Sequence, residues 1–307
     1  MKLYHHNGFA APIGQHVMPM KKFALVAEAL RGTPGVEILE PEPVTRDDLL
    51  RVHDEEYIDA VATGEPRELA ESQKFPWSPA LYSSVMLTSG GVLAAARSAL
   101  SDGISGALAS GFHHASRSRG EGFCTFNGLV VAAEALRHEG LIRTVAVLDL
   151  DLHYGNGTAR LATSRPWLQA LSIYGNDYWD NVTYRDVGLR RHQDGPNHFS
   201  VPILPRGAED GSHLLALLDE HLPWLIRSGA PDLLLFQAGV DPLSSDPYSP
   251  LQLSAADLRA RDEMVFRFAK KFSLPVAWVL AGGYTPDISK VVEAHCNTAL
   301  AALAVYC

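Results

Sequence analysis

The residues best suited to chemistry stand where apolar runs end. Residues 145–148 (VAVL) lead directly into Asp149, Asp151 and His153, and the two-residue alternation of extended backbone sends all three to one side. Two carboxylates on one face repel, and burial adds to the cost of keeping both ionised, so a divalent cation between them is the economical solution. The competing reading is that the three cap neighbouring helices and face water. Gly155 and Gly157, just beyond, permit backbone close to a ligand. A second run, 106–110, ends in Gly111-Phe112-His113-His114-Ala115. Adjacent side chains of an extended chain point apart, so both imidazoles serve one site only if they sit on an irregular loop. A third run, 233–237, reaches Asp241 through Ala238-Gly239-Val240, and a fourth, 276–280, ends in Ala281-Gly282-Gly283-Tyr284. Singly, these are a turn Asp before Pro242 and a Tyr packed over a turn. Jointly, at the shared carboxyl edge of a parallel sheet, Asp151, His153 and Asp241 supply three protein ligands and leave a fourth position open for water, as catalytic zinc requires. Iron(II) or cobalt could replace zinc, because mixed oxygen and nitrogen donors discriminate poorly.

Such an edge requires strands alternating with helices. Short apolar, β-branched-rich runs predict strands at 36–39, 106–110, 144–149, 168–173, 232–237 and 276–280, with amphipathic stretches between them. That is the pattern of an α/β fold around a mainly parallel sheet. Thr45 to Asp48 and Ser254 to Asp257 read as capping boxes that open helices. The polar stretch 175–197 reads as a long loop after the strand at 168–173, where it would shape a binding site. No repeat, low-complexity tract or linker divides the chain, so one domain over residues 1–307 is expected.

Composition excludes other classes. With 26 Lys+Arg against 35 Asp+Glu the chain carries a formal charge of −9, which argues against a basic nucleic-acid coat, and no nucleic acid is expected as a direct partner. An apolar fraction of 47% and a charged fraction of 20% are ordinary for a globular protein with a sizeable core. Three cysteines, Cys124, Cys296 and Cys307, form no CxxC pair, which suits a reducing compartment, and a cytoplasmic location is expected. The first residues lack the apolar core of a signal peptide, and no apolar run approaches the roughly 18 residues of a membrane span, so no membrane is expected as a partner. There is no phosphate-binding loop, no complete dinucleotide fingerprint and no GxSxG elbow, and His138-Glu139 has Ile142 where HExxH needs its second His. Cys124 between Phe123 and Thr125 makes a poor nucleophile, since apolar flanks raise a thiol pKa.

In their order along the chain, these segments resemble the histone deacetylase family of zinc amidohydrolases, and most of all its compact bacterial and class IV-like members. The matching elements are 16–22 (HVMPMKK), 52–58 (VHDEEYI), 111–115 (GFHHA), 120–127 (GEGFCTFN), 149–158 (DLDLHYGNGT), 238–243 (AGVDPL) and 282–285 (GGYT), which cover nearly the whole chain. The resemblance implies the arginase/deacetylase fold, an eight-stranded parallel sheet with helices on its faces, and a narrow tunnel leading to zinc. It implies Asp151, His153 and Asp241 as zinc ligands, and His114 as general base and acid beside an electrostatic His113. It gives Asp149 the task of orienting His113, and Tyr284 that of donating to the developing oxyanion. A structural potassium ion is implied at Asp149, the main-chain oxygens of Asp151, His153 and Ile173, and the Ser172 hydroxyl. Gly122 and Phe123 match the tunnel wall and Tyr248 the rim.

Three positions depart from the family pattern. Tyr154 stands where many members have His or Gln, Gly128 replaces an acidic residue, and Asn156 stands where some members have an Asp partner for the second tandem His. Asn156 can still accept from His114, but as a neutral group it raises that ring's basicity less. The implied reaction is hydrolysis of an N-acyl amide, with acetyl-lysine in a protein or peptide as the leading substrate and small acetylated amines such as acetylpolyamines as the rival. A binuclear manganese ureohydrolase needs bridging carboxylates where this chain has Gly155, Gly239 and Leu243. The alternative from another class is a non-catalytic acyl-lysine binding protein. Oligomeric state is not legible in the sequence.

Overall fold

The computed structural model describes residues 1–178 and 189–306. Its centre is one eight-stranded sheet in which every neighbouring pair is parallel. In chain order the strands are β1 (Lys2–Tyr4), β2 (Glu37–Leu39), β3 (Ile104–Ser110), β4 (Val145–Asp149), β5 (Leu168–Tyr174), β6 (His198–Pro202), β7 (Leu233–Ala238) and β8 (Val276–Leu280). Their spatial order is β2-β1-β3-β8-β7-β4-β5-β6. The six expected strands are all present, within a residue or two at their ends. Strands β1 and β6 were not expected: β1 is three residues with one buried side chain, and β6 carries His198 and Ser200 among its apolar residues. Both are too short or too polar to show the apolar run on which the reading relied.

Parallel strands covered on both faces favour unbroken apolar sequence, and β3, β4, β7 and β8 are buried at every position. These four are contiguous at the middle of the sheet, so their carboxyl ends share one crevice although they lie far apart in sequence. Both expected capping boxes form, Thr45 with Asp48 and Ser254 with Asp257. They open helices α2 (Arg46–Leu50) and α9 (Ala255–Lys271). Helix α5 (Pro79–Asp102) packs on β3 and on α6 (Gly128–His138), while α1 (Lys22–Leu30) and α9 pack on α10 (Ile288–Tyr306). One expectation needs correction here. By length and composition α5 is apolar enough to cross a membrane, because its Ser, Thr and Gly residues interrupt the apolar run without making it polar. Most of it is buried against the sheet and α6, as a core helix is. Cys124 and Cys296 are free thiols, whereas Cys307 lies outside the described residues, as does the 179–188 part of the expected loop.

Candidate active site

Strand β4 ends at Asp149, and the backbone beyond it carries Asp151 and His153 to the same crevice, where β7 delivers Asp241. The His153 Nδ1 atom lies 3.1 Å from an oxygen of Asp151 and 3.0 Å from an oxygen of Asp241. One ligand atom from each of the three lies within 4.8 Å of the others. Asp151 and Asp241 are almost wholly buried. Their remaining lone pairs accept main-chain N–H groups: Gly282 to Asp151 at 2.7 Å, and Leu152 to Asp241 at 3.0 Å. A Cβ at Gly282 would sit 2.0 Å from Asp241 Oδ2, so only glycine lets the backbone just beyond β8 pass this close to the carboxylate.

Burial and the neighbouring Asp151 push the Asp241 carboxyl up to about 7. Burial alone would lower His153, but its hydrogen-bonded partners Asp151 and Asp241 outweigh that and raise it to about 10. Two buried carboxylates around one imidazole nitrogen are stable with a proton there or with a cation among all three. This compact set of two oxygen donors and one nitrogen donor fits a divalent metal.

The tandem histidines do converge. Phe112 adopts a left-handed φ of 57°, and β3 shifts register between Ala107 and Ser110, so the backbone turns before His113 and the two rings lie 4.0 Å apart. Asp149 Oδ2 accepts from His113 Nδ1 at 2.6 Å, and its Oδ1 accepts the Asp151 N–H at 3.1 Å. Burial would lower His113, and Asp149 and Asp151 reverse this, so its pKa rises. His114 moves the other way: burial and the two histidines His113 and His153 hold its pKa well below the usual range. Its Nδ1 donates to Asn156 Oδ1 at 2.6 Å, so the Asn departure keeps the expected contact. Tyr154, the second departure, is a packing residue that stacks on His192 at 4.0 Å and donates to Asp194. The third, Gly128, is buried as the first residue of α6, with the Ser89 backbone 3.6 Å from where a Cβ would stand. Asp149 and Ser172 face each other in register on β4 and β5, with Ile173 beside them.

Tyr284 lies 6.3 Å from His153 between ring centroids, 6.1 Å from Phe123 and 5.3 Å from Tyr248. Burial and the carboxylates Asp151 and Asp241 hold its phenol protonated well past its usual range, so it is a donor at neutral pH. Phe123 stands on a turn with left-handed φ at Gly122 (50°) and at itself (65°), and Tyr248 is 37% exposed at the rim. Beneath the aromatic opening a cavity of about 20 Å³ is lined by Met18, Phe112, His113, Phe123, Asp151 and Tyr284 among others.

Sequence reasoning missed four residues here. Tyr178 stacks on His114 at 3.8 Å. Asp246 accepts the backbone N–H groups of both Tyr284 and Tyr248, joining the phenol to the rim. Lys22, fully buried, donates to the Ala281 carbonyl at 2.5 Å and is pushed down to about 8 by burial, which nearby Asp241 and Asp151 partly oppose. Glu121 contacts Asn156. None has a periodic signal, since all four act from loops or helix starts, although Lys22 and Glu121 fall inside matched segments.

A parallel sheet with a carboxylate–imidazole triad able to hold a metal ion, and with paired histidines and a phenol at its carboxyl edge, is an arrangement suited to amide hydrolysis. The histone deacetylase domain matches residues 16–299, and the chain belongs to that family and is a hydrolytic deacetylase. It is 30% identical to an uncharacterized protein of Picosynechococcus sp., over 98% of both chains. It is also 30% identical to a histone deacetylase-like amidohydrolase of Pseudomonas aeruginosa, over 76% of this chain and 62% of that one. Among solved structures, an acetylpolyamine aminohydrolase from Burkholderia pseudomallei superposes with a TM-score of 0.80 at 20% identity, covering 99% of each chain, which shows a shared fold.

Proposed function

We propose that this protein removes acetyl groups from acetyl-lysine side chains of proteins or peptides, with zinc held by Asp151, His153 and Asp241. The observation that carries the reading is the meeting of that triad with His114 and Tyr284 beneath a ring of aromatic side chains. When bound, zinc supplies a Lewis acid that polarises the amide carbonyl and acidifies an attacking water. His114, neutral at pH 7, takes the proton from that water at Nε2 and returns it to the departing amine. Tyr284 donates to the oxyanion of the tetrahedral stage. His113, hydrogen-bonded to Asp149 at 2.6 Å, is placed to interact electrostatically with the developing anion. The carboxylate of Asp149 and the hydroxyl of Ser172 would also contribute to a structural potassium site.

A second reading is deacetylation of acetylated polyamines, favoured by the near-complete superposition on the Burkholderia structure. The test is acetate release from an acetyl-lysine peptide and from acetylspermidine, side by side, with metal analysis and with and without chelator. A higher kcat/KM for the peptide supports the proposal. A preference for the small amine reverses it, and metal-independent turnover removes the triad from the chemistry.

A further inference from the structure

We infer that Glu121 is a positioning residue that sets which nitrogen of His114 carries the proton, acting through the Asn156 amide. This rests on the proposed role of His114 as general base.

The Glu121 carboxylate accepts from Asn156 Nδ2 at 2.7 Å and from Arg160 Nη1 at 3.2 Å. The other end of the Asn156 amide accepts from His114 Nδ1 at 2.6 Å. Asn156 is 5% exposed and the Glu121 side chain 13%, so water competes little for these bonds. An amide is ambiguous: its oxygen and nitrogen are nearly the same size, and either end can face a neutral imidazole. A carboxylate is not ambiguous, because when ionised it only accepts. Glu121 therefore claims the NH₂ end of Asn156 and turns the oxygen toward His114. That oxygen accepts only from a protonated Nδ1, which leaves the Nε2 lone pair free for the reacting water. Were the amide reversed, its NH₂ would donate to Nδ1, the ring proton would move to Nε2, and the base would be lost.

Glu121 is itself well fixed. Its main chain exchanges hydrogen bonds with Cys124, 2.7 Å from Cys124 N to Glu121 O and 3.2 Å in return, across the turn that presents Gly122 and Phe123. Asn156 and Arg160 stand one turn apart on α7 (Asn156–Ala162), so one carboxylate spans both.

The test is a donor–acceptor swap. In Glu121→Gln, Arg160 donates to the Gln carbonyl, the Gln NH₂ faces Asn156, and the amide reverses; kcat should fall roughly tenfold or more, as for other histidines held in the wrong tautomer, with KM little changed. In Asn156→Asp two carboxylates meet and activity falls similarly. In the double variant the Gln NH₂ donates to the carboxylate introduced in place of Asn156, which in turn accepts from His114 Nδ1. There kcat should recover to within about threefold of the parent, since the original donor–acceptor sense is restored. A residue that merely anchored Arg160 would give no such rescue, so a double variant no better than the worse single variant overturns the inference.

The second readout is independent of turnover. Nitrogen-15 spectra of the histidine rings, with His114 assigned by its loss in His114→Phe, should show a protonated Nδ1 in the parent and a protonated Nε2 in Glu121→Gln. An unchanged tautomer in Glu121→Gln refutes the positioning role. If the tautomer exchanges but the parent cleaves no acetyl amide, the proposed function falls and the positioning stands.

Discussion

Acidification from pH 7 to pH 4.5 should cost this protein about 2–3 kcal/mol through one buried ring, His53, as its pKa shift translates into linkage. His53 is 2% exposed and uses both nitrogens: Nδ1 donates to the Ser116 carbonyl at 2.9 Å, and Nε2 accepts the Asn127 N–H at 3.1 Å. A second ring proton would therefore meet another N–H. Burial pushes its pKa down to about 4 in the folded protein, against about 6.5 in an unfolded chain. Between those values the unfolded state binds more protons, so stability rises with pH: the contribution is complete above about 6.5 and is lost as pH falls toward 4. The gap corresponds to about 3 kcal/mol when fully expressed, most of it by pH 4.5. Asn127 also holds Ala115 and Thr158 through its side chain, at 3.4 and 3.0 Å, so the same ring clamps the loop that carries the tandem histidines. Urea unfolding of the parent and of His53→Gln at several pH values would measure this. Other buried histidines such as His198 titrate in both proteins and cancel in the difference. The parent's advantage should shrink by about 2–3 kcal/mol on acidification, and a pH-independent advantage would refute the assignment.

Three further outcomes follow from the site. Tyr284→Phe should keep its metal content while kcat drops about 10²–10³-fold, checked by metal analysis beside acetate release; full turnover would take Tyr284 out of the mechanism. Because His153 and Asp241 bind protons near and above neutrality when no metal is present, metal binding must release them. Apparent affinity should then climb about tenfold per pH unit above 7 and more steeply below it, measured by competition with a chromogenic chelator, and a flat profile would contradict the triad. Gly282→Ala drives a Cβ into Asp241 and should weaken metal binding at least about tenfold while the fold, followed by circular dichroism, survives.

The central strands and the triad were legible in sequence because both depend on local pattern. Double-sided burial writes β4 and β7 as apolar runs, and the polar residues that follow such runs stand out against them. What escaped depends on contacts between distant segments. Strand β1 contributes a single buried side chain, Leu3, and owes its place to pairing with β2 and β3 rather than to any run of its own. No local pattern marks Asp246, since its task, holding the main chain of residue 284, appears only when β7 and β8 are side by side. The convergence of His113 and His114 needed the left-handed turn at Phe112, a conformation that no bulky residue announces.

The interleaving of the sheet also has a cost in time. During synthesis Asp151 and His153 leave the ribosome roughly ninety residues ahead of Asp241, a delay of about 4–18 s at ordinary elongation rates. Throughout that interval the nascent chain offers an ion only two of its three donors. The finished grip awaits β7 and, after it, the Gly282 amide that steadies Asp151. Capture of an ion by the three donors would therefore come late in the life of the chain, and a truncated product ending before β7 should bind none at this site.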